Sequence, residues 1–191
     1  GKNNKERVLE AARLVNGAMK LAGSVQSLDA GVMQNIKRGN ISGDQIVDMA
    51  MKSAEIGTNT YSEVILALPG DSKAAHFKTL QTLIDAGFNT VSMYQLMILP
   101  GTELGTKETK LKYEMVYKYR VVPRCFGYFR FRGETLISAE IEAICVQNGT
   151  LPYADYLDCR KMNLMVNVFF NDSVFAEVIK LVKALGLSPW D

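Results

Sequence analysis

The chain has 191 residues, of which 48% are hydrophobic, and its 22 basic and 20 acidic side chains leave a net charge of +2. This length and composition are typical of a globular protein with a buried core, and the interspersed charges argue against a dedicated nucleic-acid-binding surface. No apolar run approaches the roughly 20 residues that span a bilayer, and no signal-peptide pattern is visible. We therefore expect a cytoplasmic protein without nucleic-acid or membrane partners.

Apolar spacing and turn residues divide the first half of the chain into alternating helices and strands. The predicted elements are, in chain order, helix 3–16 ending at Gly17, strand 21–28, a short helix capped by Asp29, helix 42–56 capped by Ser42, strand 60–68, a helix that opens at Asp71 or Ser72 and runs to 86 before Gly87, and strand 90–99. Such alternation predicts parallel strands that are joined by helical crossovers.

Two Pro-Gly turns, LALPGDS and MILPGTE, place Gly70 and Gly101 31 residues apart, about the length of one βα unit. Three strands cannot close a barrel that needs eight strands and roughly 250 residues. We therefore predict an α/β fold in which residues 1–104 form part of a TIM-type (β/α) barrel. Residues 105–191 are predicted to form a mainly helical C-terminal region, with the extended segment RVVPRCFGYFRFRG followed by helices over 134–148 and 153–185.

Polar side chains occur on each predicted strand, and ligands bind at the C-terminal ends of parallel strands in α/β folds. Alternation along TYSEVILAL places Glu63 on one face of its strand, and the same reasoning directs Gln26 and Gln95 towards a shared interior. Arg38 lies 12 residues after Gln26, and Glu63 lies 25 residues after Arg38. A carboxylate, two amides and a guanidinium suit a ligand that carries hydroxyls and a carboxylate.

Each of these side chains also has an ordinary structural explanation. Gln26 and Gln95 would also suit hydrogen-bonding positions at strand ends, and Glu63 would suit an ion pair with a lysine on a helix. Arg38 alone is typical of a solvated cation at a helix end.

The segments SVQSLD to NIKR, YSEVILALPGDS and MYQLMILPGTEL resemble the later half of the radical S-adenosylmethionine (radical SAM) barrel. The likeness is strongest to relatives of oxygen-independent coproporphyrinogen oxidase and to members with a cobalamin-binding domain. That family has a glutamine, an arginine and an acidic residue at the same spacings of 12 and 25 residues. The resemblance implies that Gln26 and Glu63 contact the ribose of S-adenosylmethionine and that Arg38 binds its methionyl carboxylate. Residues 95–98, beginning with Gln95, would border the adenine and the substrate.

The resemblance also implies a 4Fe-4S cluster, at which S-adenosylmethionine is reductively cleaved to a 5′-deoxyadenosyl radical that acts on an unidentified substrate. Related enzymes often carry cobalamin as a further cofactor. The family's cluster loop, CxxxCxxC, does not occur in this sequence, so we expect no cluster ligands in this chain. We interpret the chain as a fragment that begins after that loop and is inactive alone; loss of the chemistry in this lineage is the other explanation. The alternative function is a non-catalytic partial barrel that binds a ligand or another protein.

The remaining expectations concern the substrate region and the core. Arg124, Cys125 and Tyr128 are candidate substrate contacts, although a surface strand paired to the barrel and a buried inert thiol explain them as well. The only histidine, His76, is expected to be exposed on its helix. Core positions are predicted for Cys145, Cys159 and the methionines at 93, 97, 162 and 165. Self-association is expected through the unpaired edge of the first strand.

Overall fold

The fold is known from a computed structural model that describes residues 5–16, 18–39 and 43–190. The helices are α1 (Lys5–Leu14), α2 (Ala30–Asn35), α3 (Gly43–Ile56), α4 (Lys73–Ala86), α5 (Lys107–Lys112), α6 (Tyr153–Met165) and α7 (Ala176–Ala184). The strands are β1 (Leu21–Ala22), β2 (Thr60–Leu66), β3 (Thr90–Gln95), β4 (Met97–Ile98), β5 (Val116–Phe131) and β6 (Glu134–Gln147). Gly17 and Ser42, to which the sequence assigns a helix stop and a helix cap, lie outside the described residues.

The first sheet has the strand order β1-β2-β3, and both pairs are parallel. Helices α3 and α4 provide the crossovers and cover one face, where Val64, Leu80 and Phe88 belong to one buried cluster. Ser72 caps α4 by accepting a hydrogen bond from Ala75 N, and Gly87 ends the helix with φ 89°. The predicted α/β class, with parallel strands and helical crossovers, is therefore confirmed.

The first strand is much shorter than the predicted 21–28. Regular pairing stops at Ala22, and a single bridge joins Gln26 to Val64 further along. Between them the backbone bulges, because the N–H groups of Val25 and Gln26 both donate to Glu63 O, at 3.3 and 2.9 Å. Gln26 has a positive φ of 58°, which is uncommon for a residue with a side chain. The bulge therefore breaks the alternation on which the orientation of Gln26 was predicted.

The predicted strand 90–99 is divided between two sheets. β3 belongs to the first sheet, and β4 pairs antiparallel with β6 in a second sheet of order β4-β6-β5. Leu96 joins the two, because its N–H donates to Leu66 O at 3.0 Å and its carbonyl accepts from Cys145 N at 2.9 Å. The second sheet thus begins where the third parallel strand ends.

The helix predicted over 134–148 is wrong, because this segment is strand β6 and forms a hairpin with β5. Arg132 and Gly133 have φ values of 48° and 83°, and they connect Phe131 directly to Glu134. Positive φ at both central residues is the conformation that two-residue hairpins favour. Apolar residues at alternate positions from 137 to 145 also fit a strand better than a helix.

The C-terminal segment returns to the first sheet and packs against it. A π-helical turn (Val166–Phe170) and a 3-10 turn (Asn171–Ser173) separate α6 from α7, so the predicted helical segment 153–185 is interrupted. Asn171 is buried, and its side chain accepts from Val91 N and donates to Val91 O, both at 2.9 Å. A side-chain amide therefore takes the place of a neighbouring strand at this point of β3.

Two expectations about burial are wrong. His76 is only 1% exposed, because α6 covers α4 and places Asn163 Oδ1 2.8 Å from His76 Nε2. Burial lowers the pKa of His76, so the ring stays neutral. Met97 and Met165 are exposed rather than in the core, whereas the buried positions of Cys145 and Cys159 are as predicted. Among the described helices, none is long and apolar enough to cross a membrane.

Candidate functional site

The two faces of β2 differ sharply in burial. Ser62, Val64 and Leu66 are almost fully buried beneath the helices, as the alternation predicted. The other face is partly exposed, and we call it the open face. It consists of the residues of β2 and β3 that are in register on that side, together with Ser24: Ser24, Tyr61, Glu63, Ile65, Thr90, Ser92 and Tyr94.

Glu63 lies at the centre of the open face. Ser24 Oγ donates to Glu63 Oε2 at 2.7 Å, and Ser92 is the register partner of Glu63 on β3. No ion pair between described residues involves Glu63, so the predicted alternative of a lysine partner is not seen in this part of the chain. One serine leaves most of the acceptor capacity of the carboxylate available.

Gln26 adjoins Glu63 through the backbone. Its N–H donates to Glu63 O, and its carbonyl accepts from Ile65 N at 2.8 Å. The side chain is 7% exposed, and Gln26 Oε1 is a buried acceptor without a hydrogen-bond partner. Leaving such an acceptor unpaired costs about 1–3 kcal/mol. A buried polar atom of this kind needs an explanation, and a hydrogen-bond donor on a ligand is one.

Arg38 lies just after α2, which begins at the predicted cap Asp29, where Asp29 Oδ1 accepts from Val32 N at 2.9 Å. The Arg38 side chain is exposed, and its backbone N–H donates to Met33 O at 3.0 Å. Within the described ranges no contact connects the Arg38 side chain to Gln26 or Glu63. The structure therefore joins the backbones of Gln26 and Glu63, and it shows no hydrogen bond or ion pair between the described residues that connects Arg38 to them.

The prediction that Gln95 shares a face with Glu63 is wrong. Gln95 is in register with Leu66, so it lies on the helix-covered side of the sheet. There Gln95 Nε2 donates to the hydroxyl of Tyr156, and Arg120 Nη1 donates to Gln95 Oε1 at 2.5 Å. Arg120 Nε also donates to Glu142 Oε1 at 2.5 Å. Gln95 thus connects the end of β3 to α6 and to the hairpin.

The three candidate substrate residues lie on the hairpin, in the second sheet. Arg124, with φ 65°, and Cys125 fall in an irregular stretch of β5, where the register passes from Val121 opposite Ile141 to the pair of Phe126 with Ala139. Tyr128 is 72% exposed. The strand that carries them pairs with β6 and not with the barrel sheet. Their role in substrate binding stays a prediction.

The described residues contain no group of three histidine, cysteine or acidic side chains that could hold a metal ion. Burial raises the pKa of Cys145 to about 11 and that of Cys159 to about 12. Burial thus disfavours, in both residues, the thiolate form that a metal ligand must adopt. These two residues do not fit an iron–sulfur cluster.

The hydrogen bonds that hold the loop after β2 were not predicted from the sequence. Asp71 is buried, and its carboxylate accepts hydrogen bonds from Ala67 N at 3.0 Å and Ser72 N at 2.9 Å. Asn148 Nδ2 donates to Leu68 O at 2.9 Å, and Thr150 Oγ1 donates to Asp71 O at 2.7 Å. These bonds fix the C-terminal end of β2 against the turn after β6. The Asp in LPGDS was the one available sequence signal, because Asp commonly bonds backbone N–H groups in turns.

No protein-family model matches the chain. Two curated proteins are similar to it in sequence. The 2-(S-pantetheinyl)-carbapenam-3-carboxylate methyltransferase of Streptantibioticus cattleyicolor is 28% identical over 162 residues, covering 83% of this chain and 23% of that protein. The cobalamin-dependent radical SAM methyltransferase TokK of Streptomyces tokunonensis is 33% identical over 127 residues, covering 64% of this chain and 18% of that protein. The chain thus spans less than a quarter of the length of these relatives.

Among the solved structures that are similar to the chain, a methyltransferase shares the fold over most of its length. It is the radical S-adenosylmethionine methyltransferase TsrM from Kitasatospora setae, determined with tryptophan substrate and a SAM analog bound. It aligns with a TM-score of 0.54 and 10% identity, covering 83% of this chain and 33% of that chain. The parallel sheet and its helices are therefore those of a partial (β/α) barrel. The structural likeness shows the fold, and the two sequence relatives bear out the resemblance to the radical SAM superfamily.

Proposed function

We propose that this chain is the later part of a radical SAM enzyme's barrel with its C-terminal region, and that its open face binds the nucleoside of S-adenosylmethionine. The proposal is supported by the Glu63 carboxylate on the open face and by the buried, unpartnered Oε1 of Gln26, whose backbone N–H bonds Glu63 O. The ribose hydroxyls of S-adenosylmethionine are hydrogen-bond donors, and an amide oxygen and a carboxylate are the matching acceptors. Ser24 holds the Glu63 carboxylate and leaves further acceptor sites on it.

Arg38 completes the proposed site as the partner of the methionyl carboxylate. A guanidinium can bind a carboxylate through two parallel N–H donors, and the exposed Arg38 side chain is accessible for this. Gln95 is left out of the proposed nucleoside site, because Tyr156 and Arg120 already occupy its amide on the other face of the sheet.

For the whole protein we propose reductive cleavage of S-adenosylmethionine at a 4Fe-4S cluster, with methyl transfer favoured by the names of the relatives. Cobalamin is a proposed further cofactor, because one relative is named as cobalamin-dependent. Since the described residues hold no cluster ligand set, this chain's own part is to bind and orient the nucleoside.

The open face is tested by titrating the chain with S-adenosylmethionine in a calorimeter. We expect Glu63→Ala to weaken binding by about tenfold or more, because a hydrogen bond to a charged group contributes about 1.5–3 kcal/mol. Glu55→Ala, which removes an exposed glutamate from α3, is the matched control and should leave affinity unchanged. Equal affinities in all three proteins, or no binding to the unmodified chain, would reject the assignment.

Gln26→Met separates a role in ligand binding from a purely structural role, because the two roles predict different changes in stability and in affinity. Methionine keeps the length of the side chain and removes the unpaired acceptor, so the free energy of unfolding should stay level or rise by about 1 kcal/mol. Affinity for S-adenosylmethionine should nevertheless fall about fivefold to tenfold. Denaturant titration and calorimetry on one preparation measure both quantities. Loss of stability with unchanged affinity would show that Gln26 serves the fold alone.

We propose that the chain alone does not cleave S-adenosylmethionine. Anaerobic incubation with iron, sulfide, a reductant and S-adenosylmethionine should yield no 5′-deoxyadenosine above the protein-free background, because the described residues contain no set of three side chains that could hold a cluster. Chromatography of the products is the measurement. Formation of 5′-deoxyadenosine would mean that this chain builds a cluster by another route.

A further inference from the structure

An open cavity of about 450 Å³ lies between the end of α2 and the segment that follows β4, which comprises the 3-10 turn Glu103–Gly105 and α5. Both of these borders come after strands in the chain. The cavity is therefore on the side of the molecule where the parallel strands end, which is where ligands bind in α/β folds. Its volume is in the range of small-molecule sites, and none of its lining residues belongs to the open face.

One part of the cavity wall is apolar. Ile36, Leu104 and Tyr113 form it, and all three are partly buried and pack against the core cluster that contains Leu66 and Leu68. These side chains are thus held from behind by the core and present apolar surface to the cavity. Removing the apolar part of a ligand from water against such a wall favours binding.

The charged side chains at the cavity are two lysines and one glutamate. Lys37 Nζ lies 2.6 Å from Glu103 Oε1, so these two charges compensate each other. Lys112 has no carboxylate partner among the described residues, and its Nζ lies 4.8 Å from the centroid of the Tyr113 ring. The cavity therefore has one uncompensated positive charge, and it lies beside the apolar wall.

The helix ends at the cavity add little negative charge. Both α2 and α5 end there, and the free carbonyls at a helix C-terminus are partly negative. Most of these carbonyls accept backbone N–H groups of the residues that follow each helix, at 2.9–3.2 Å: Val32, Met33 and Gln34 in α2, and Thr109, Lys110 and Leu111 in α5. The side-chain charges therefore decide the sign of the potential in the cavity.

We infer that this cavity binds an organic anion with an apolar body and a carboxylate. The body would lie against Ile36, Leu104 and Tyr113, and the carboxylate would accept hydrogen bonds from the Lys112 ammonium. A single uncompensated cation matches the charge of a carboxylate better than that of a phosphate monoester, which is close to −2. A cationic ligand would be repelled by Lys112. This is a second site, and binding at it does not require S-adenosylmethionine.

The probe for this site is 4-phenylbutanoate, and 4-phenylbutanol is its neutral counterpart. The isotope-labelled chain is titrated with each compound while the backbone amides of Ile36, Leu104 and Tyr113 are followed. The carboxylate should produce saturable shifts with a dissociation constant of about 1 mM, and the alcohol should bind about threefold or more weakly. No shift at these residues, or equal affinity for the two compounds, would overturn the inference.

Two variants should change the affinity for 4-phenylbutanoate in opposite directions. Lys112→Gln should weaken binding about threefold to fivefold, which is the upper range for an exposed ion pair. Glu103→Gln removes a repelling carboxylate and releases Lys37 from its ion pair, so binding should strengthen about twofold to fivefold. Unchanged affinity in either variant, or weaker binding by Glu103→Gln, would contradict the inference.

Lys107→Gln and Glu108→Gln are the matched controls. Both residues are exposed at the start of α5 and do not line the cavity, so the affinity should change less than about 1.5-fold. Circular dichroism melting verifies that each variant is folded. The amides of Ser24 and Glu63 should not respond to 4-phenylbutanoate. Saturable shifts there, or control variants that match Lys112→Gln and Glu103→Gln, would overturn a separate site at this cavity.

Discussion

Asn171→Ala is expected to lower the free energy of unfolding by about 3 kcal/mol, which corresponds to a Tm decrease of roughly 6–12 °C for a chain of this size. The Asn171 amide is buried and bonds both the N–H and the carbonyl of Val91 at 2.9 Å. Alanine would leave both backbone groups buried and unpaired, and each costs about 1–3 kcal/mol. Chemical denaturation followed by circular dichroism measures the change.

Asn167→Ala is the matched control for that variant. Asn167 accepts a hydrogen bond from Asn171 Nδ2 at 3.0 Å but is exposed, so its loss should cost less than about 1 kcal/mol. If both variants lose the same stability, the amide of Asn171 does not replace a strand at the edge of β3.

Asp71→Asn is expected to remove a pH dependence of stability. Burial raises the pKa of Asp71 to about 7, although two backbone N–H groups donate to its carboxylate. The native state therefore binds one proton more than the unfolded state between about pH 4 and pH 7. Stability from this group is present at low pH and is lost as the pH rises through about 7, in total about 2–4 kcal/mol.

The measurement is the difference in free energy of unfolding between the unmodified chain and Asp71→Asn at pH 5 and pH 8.5. The difference isolates Asp71, because His76 contributes equally to both proteins. His76 changes the free energy of unfolding in the opposite direction. Because its pKa is lowered, the stability that the neutral ring contributes is lost as the pH falls below about 6.5. We expect the free energy of unfolding of the unmodified chain minus that of Asp71→Asn to fall by about 2–4 kcal/mol from pH 5 to pH 8.5. A difference that grows with pH would contradict the raised pKa.

The parallel barrel segment could be predicted from sequence because each of its signals is local. Ser72 and Gly87 mark the ends of α4, and the alternating burial of β2 follows from its period of two. The hairpin could also have been predicted, since Arg132-Gly133 lies between two strand-like runs. That signal was outweighed by an apparent helical pattern after residue 134.

The predictions that were wrong concern residues whose positions depend on contacts between segments that are distant in sequence. The bulge that turns Gln26 out of regular alternation is created by hydrogen bonds to Glu63. Burial of His76 depends on Asn163, 87 residues away. Gln95 was assigned to the wrong face because the sequence alone does not show the register of β3 against β2, which pairs Gln95 with Leu66. Period-two reasoning holds only while a strand stays regular.

The central claim is that the open face around Gln26 and Glu63 holds the nucleoside of S-adenosylmethionine. Its most direct test is a titration of the isotope-labelled chain with S-adenosylmethionine, followed by the side-chain amide resonances of Gln26 and the backbone amides of Ser24 and Glu63. We predict saturable shifts at all three residues, with the hairpin unaffected. Shifts confined to the hairpin, or none at saturating ligand, would contradict the account.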